Sequence, residues 1–160
     1  IVARAIDVTI DSGTTAGIMT GMKLSATVAG TSSPNGGALE DTNGARVFVK
    51  MCDQAWTPSG STFICGGATD EVLGDDLPAN PGPDDCPPDD ATVAKLYDLV
   101  PVTGTPTALD SSVLDLTADA VNHLVLYMCL PTAMGDTYQG ASVTGITWTF
   151  AGTQRPAEAK

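Results

Sequence analysis

Four cysteines, a single histidine and a crowd of aspartates are the residues whose types could do chemistry in this chain. Zinc sites draw their ligands in pairs at short spacing, as in Cys-x-x-Cys. Cys52, Cys65, Cys86 and Cys129 contain no such pair and His123 stands alone, so the thiols are read as disulfides. Four cysteines allow three pairings. Cys52 and Cys65 flank a short loop expected to join adjacent strands, which leaves Cys86 to tie an acidic loop to the strand carrying Cys129. Disulfides persist in oxidising compartments, so the chain is expected to be secreted, extracellular or on a cell surface.

The aspartates concentrate in residues 74–90, Gly-Asp-Asp-Leu-Pro-Ala-Asn-Pro-Gly-Pro-Asp-Asp-Cys-Pro-Pro-Asp-Asp. The prolines remove ladder donors and the charges need water, so this is a surface loop. Calcium takes carboxylate oxygens in flexible geometry, and Asp84, Asp85, Asp89 and Asp90 are the candidates for it. Their spacing is not that of an EF-hand, and no cofactor is expected; calcium is the alternative. An aspartate acting as a catalytic acid would need an apolar pocket to raise its pKa, which this loop does not offer. A hydrolase would need a nucleophile with a positioned base, and His123, in Val121-Asn122-His123-Leu124, reads as a structural histidine at the start of a strand. His-Glu-x-x-His, Gly-x-Ser-x-Gly, P-loop and Gly-x-Gly-x-x-Gly motifs are all missing. An enzyme is not expected.

The elements that carry these residues read as strands. Residues 124–130, Leu-Val-Leu-Tyr-Met-Cys-Leu, are apolar on both faces, the mark of a central strand. Ile146, Trp148 and Phe150 alternate with threonines, the pattern of a half-buried strand. Residues 22–28 and 46–51 alternate likewise, the latter with Val47, Val49 and Met51 on one face. Trp56 and Phe63 flank a hairpin-like turn, Pro58-Ser59-Gly60-Ser61, and residues 30–37 are rich in turn formers. Residues 109–116 suit a turn of helix or a strand equally, and no segment has sustained helical periodicity.

At the N-terminus Val2, Ile6, Val8 and Ile10 give a strand with one apolar face, interrupted at Arg4. Asp-Ser-Gly-Thr-Thr-Ala-Gly follows at once over residues 11–17 and reads as a hinge, so the strand could leave its own domain or pair within its own sheet.

A length of 160 residues fits one domain. Only 7 Lys+Arg against a net charge of −12 disfavour nucleic acid and an anionic membrane as partners. The chain opens on Ile1 instead of Met, which reads as a processed or trimmed chain, and no run is apolar enough to span a membrane.

Leu130-Pro131, then Gly135-Asp136-Thr137-Tyr138-Gln139-Gly140, then residues 147–154, Thr-Trp-Thr-Phe-Ala-Gly-Thr-Gln, resemble the C-terminal signature of the TasA/camelysin family. The likeness covers residues 122–155, and residues 46–56, Arg-Val-Phe-Val-Lys-Met-Cys-Asp-Gln-Ala-Trp, look like the family's central strand. Residues 13–39 depart from the family pattern, the acidic loop looks like an insertion, and the peptidase activity described for some members is not carried over. The resemblance implies a secreted jelly-roll β-sandwich polymerising head to tail into pilus or biofilm-matrix fibres by donor-strand complementation. Residues 1–12 would be the donor strand and 13–160 the sandwich. Ile1, Val2, Ala5, Ile6, Val8 and Ile10 would enter the next subunit, making identical copies the partners. Tyr138 would pack at a corner of the sandwich and Gln139 would cap backbone groups. The alternative is a monomeric secreted sandwich binding carbohydrate or calcium through Trp56, Tyr138 and the acidic loop. Donation predicts residues 1–10 on another chain, with the groove of their own domain filled by a different copy; a strand paired in its own sheet rejects donation and speaks for the monomer.

Overall fold

The structure, a computed structural model, describes residues 2–11, 19–41, 43–74, 86, 99–100, 106–130 and 136–154. It is all-β. Strands β1 (Val2–Thr9), β2 (Met19–Ala29), β3 (Arg46–Cys52), β4 (Thr57–Ser59) and β5 (Thr62–Ile64) lead into β6 (Thr69–Leu73), β7 (Thr107–Ala108), β8 (Val121–Cys129) and β9 (Gly145–Gln154). They form an antiparallel sheet ordered β1-β8-β3-β6, a second ordered β7-β2-β9, and the hairpin β4-β5.

The two larger sheets face each other across one core. Met22, Leu24 and Ala26 of β2 meet Val47 and Val49 of β3 and Leu124 and Leu126 of β8, all buried. Each of these large side chains contributes about 1.5–3 kcal/mol by leaving water. The opposite face of the four-stranded sheet is also covered. There Phe48, Val125 and Tyr127 pack with Trp56, Cys52, Cys86 and Cys129 in a second cluster beneath the β4-β5 hairpin. Burial on both faces is the reason β8 reads as a continuous apolar run.

β3 carries charges that its alternation did not single out. Arg46 and Lys50, on either side of the core-facing Val47 and Val49, are 0% and 2% exposed. Arg46 Nη1 donates to the Gly44 carbonyl at 2.9 Å, so part of the cost of burying its charge is offset by a backbone acceptor.

The expected strands are all present, with longer limits for β2 and β9, and the Pro58–Ser61 turn is the β4-β5 hairpin, with Gly60 at a φ of 62° as its reversal requires. Residues 109–116 resolve into a turn that is neither helix nor strand. Asp110 accepts from the Ser112 backbone N–H and hydroxyl at 2.8 and 2.7 Å, satisfying locally what a helix would satisfy by its ladder. Strands β6 and β7 were not anticipated: both are short, and Thr69-Asp70-Glu71 carries too little apolar signal to stand out.

Candidate functional site

The N-terminal strand is the element on which the expected function turns. β1 lies at the edge of its own chain's sheet, antiparallel to β8 over eight pairs from Val2–Met128 to Thr9–Val121. This is the cis arrangement that the sequence had set against strand donation. The hinge expected over residues 11–17 lies outside the described residues except for Asp11, as does Ile1.

β1 is embedded on both sides. Ile6 and Val8 are half-buried against the main core, while Ala3 and Ala5 pack on the second cluster near Phe63. Ile10, 5% exposed, exchanges backbone bonds with the 119–120 turn: its N–H donates to Ala120 at 2.9 Å and its carbonyl accepts from Asp119 at 2.7 Å. Asp119 holds a φ of 63°, a left-handed conformation that aspartate tolerates better than most residues. Beside the turn, Asn122, 1% exposed, donates to the Asp115 carbonyl and accepts from the Asp115 N–H, both at 2.8 Å. This buried amide fixes the 109–120 segment beneath the end of β1.

Arg4, which breaks the apolar alternation, is exposed and lines a cleft of about 240 Å³ between β1-β8 and the first residues of β9. Leu126, Met128, Ile146 and Trp148 supply its apolar walls, so the alternation breaks where the sandwich opens at its edge.

Across the ladder Asp7 and His123 are register partners, and Asp7 Oδ1 lies 2.7 Å from His123 Nδ1. His123 lies in β8 as the sequence placed it, and its partner was not foreseen because it lies 116 residues away. Its backbone carbonyl accepts from Trp56 Nε1 at 2.9 Å. Trp56 is buried, and its polar edge is turned to the protein.

Both disulfides pair as expected, Cys52–Cys65 and Cys86–Cys129, with Cα separations of 5.8 and 5.7 Å. The first does not join neighbouring strands of one sheet as anticipated. It ties β3 to the end of β5, pinning the hairpin onto the outer face of the sheet. Two disulfides fit an oxidising environment, and no described helix is long and apolar enough to cross a membrane. Among the described residues one group could converge on a metal, Cys52, Asp53 and Cys65, but its two sulfurs are bonded to each other. Asp84, Asp85, Asp89 and Asp90 lie outside the described residues.

At the corner before β9, Tyr138 is half-buried in the 3-10 turn Asp136–Tyr138. Gln139 does not cap backbone groups with its side chain: Nε2 donates to Asp136 Oδ1 at 3.0 Å, and the Gln139 carbonyl accepts from Asn35 Nδ2 at 2.9 Å. Asn35 therefore performs the capping expected of Gln139.

No family model matches the chain, and neither a curated protein nor a solved structure is significantly similar to it.

Proposed function

We propose that this protein is a secreted structural subunit of an extracellular filament, a pilus or biofilm-matrix fibre, in which β1 of one copy completes the sheet of the next. The observation that carries the reading is that β1 is an edge strand, embedded in two apolar clusters yet outside both covalent loops. The sequence motifs of residues 122–155 resemble those of the TasA/camelysin family, and that resemblance implies a jelly-roll sandwich assembling into a homopolymer by donor-strand complementation.

Cis pairing turns donation into exchange. The β8 edge, the 119–120 turn and the two clusters offer the same contacts to a β1 from either chain, so closed monomer and open polymer differ chiefly in linker strain and subunit concentration. The Ser-Gly-Thr-Thr-Ala-Gly-Ile link over residues 12–18 suits such a swap by composition. A strand passed head to tail makes a heterologous contact that does not close, and the product is a filament. The alternative, a monomeric secreted sandwich binding carbohydrate or calcium, is favoured by the cis pairing of β1 with β8; of the residues it would use, Trp56 is buried and donates to the His123 carbonyl, Tyr138 is half-buried, and the acidic loop's Asp84, Asp85, Asp89 and Asp90 lie outside the described residues.

A crosslink separates the two states. Thr9→Cys and Val121→Cys introduce exposed cysteines at paired register positions. Oxidised under assembly conditions, the variant is expected to give a covalent ladder on a non-reducing gel, lost when residues 1–10 are deleted. Crosslinked monomer at every concentration would reject strand exchange.

A further inference from the structure

Asp7–His123 is, among the described residues, the one side-chain bond that β1 makes to another strand. A backbone ladder carries no information about register, because every residue offers the same donor and acceptor. Side chains must supply it. A slip by one residue turns Ile6 and Val8 out of the core, so the apolar alternation already excludes odd shifts. A slip by two keeps the faces and is not excluded that way. It would set Asp7 against Val121 or Val125, and His123 against Ala5 or Thr9. Against Val125, which is 0% exposed, the carboxylate would meet an apolar cluster with no partner. The Asp7–His123 pair therefore discriminates among the registers that hydrophobicity leaves open.

Resting on the strand-exchange reading, we propose that His123 recognises Asp7 of the incoming β1 from a second copy, selecting both its register and its identity as a strand of this chain. The pair suits that role by position as well as by chemistry. It lies near the Ile10 end of β1, and His123 is held from behind by the Trp56 bond to its carbonyl. Asp7, with 61% of its side chain exposed, stays accessible as the strand docks, while His123, at 23%, belongs to the fixed wall. His123 is also the single histidine of the chain, so no second imidazole offers Asp7 an alternative.

Complementary variants of the full-length chain test this. Asp7→Lys presents a cationic donor strand to an unchanged His123; His123→Asp presents an acidic acceptor to an unchanged Asp7. Each alone is expected to polymerise about fivefold more slowly than wild type, the scale of exchanging one partly exposed cross-strand side-chain pair for a mismatch. An equimolar mixture should recover the wild-type rate, since Lys-bearing strands then dock on Asp-bearing acceptors and Asp7 strands on His123. The doubly substituted chain should also recover it, showing that neither change prevents folding. Recovery on mixing cannot arise from pairing in cis, where both variants remain mismatched. A mixture no faster than its components, or single variants as fast as wild type, overturns the latch while leaving strand exchange standing. A wild-type chain that never polymerises overturns the exchange reading and the latch together.

Discussion

Strands β8 and β1 are neighbours in one ladder but are held in different ways. β8 is buried on both faces, flanked by β1 and β3, and tied at Cys129 to Cys86. Among the described strands β1 has one ladder neighbour, and it has half-buried apolar side chains and no disulfide, its register marked by one cross-strand side-chain pair. Stability in this molecule is therefore graded: the covalent loops and the doubly buried strands form the body, and the N-terminal strand is joined to it through one ladder and half-buried side chains. An exchangeable strand needs that gradient. One that carried the core could not leave without unfolding its host, and one that buried nothing would have no reason to bind.

Substitutions on the two sides of this gradient should separate by size. Phe48→Ala empties the fully buried centre of the second cluster and is expected to cost about 4 kcal/mol, read from urea unfolding. Removing the Cys86–Cys129 bridge by paired alanines should cost roughly 3 kcal/mol, since it frees a long loop in the unfolded chain. In both cases the transition should shift as a whole, because body and strand then fail together. Ile6→Ala on β1 should cost about 1.5 kcal/mol, and its amides should exchange hydrogen faster across residues 2–9 than in β3. Equal losses for Ile6→Ala and Phe48→Ala would dissolve the distinction between edge and body.

The smallest effect concerns the turn beneath β1. The Ser112 hydroxyl and N–H hold the Asp110 carboxyl below its ordinary pKa of 3.8, and those of Thr117 do the same for Asp115. The folded chain then binds these protons less readily than the unfolded one. Their stabilisation is complete above about pH 4 and is lost as pH falls through the lowered values. Asp110→Asn with Asp115→Asn should flatten the acid limb of a stability–pH curve. An acid limb identical to wild type would remove these turns from the account.

Much of this was legible in the residues. Alternation at Val47-Phe48-Val49 and Ile146-Thr147-Trp148 marks strands because a pleated backbone sends neighbours to opposite faces, a local property. The continuous apolar run of β8 announced a strand covered twice. Cysteine spacing led to the right pairing, although the hairpin pinned by Cys52–Cys65 packs across the sheet instead of within it. The embedding of Arg46 and Lys50 could not be read, because a charge at an alternate position looks the same whether water or protein lies above it.

What the sequence determined by itself is the all-β class, most strand positions and the disulfide framework, all set by short-range periodicity, turn chemistry and the small number of cysteines. Only the tertiary structure decided that β1 pairs with β8 in its own chain, that Trp56 is turned inward, and that Asp7 meets His123. Those are partnerships between segments as much as 116 residues apart. A ladder bond or a cross-strand side-chain pair carries no trace in either segment alone, because each offers the same groups to any partner that chain closure brings within reach.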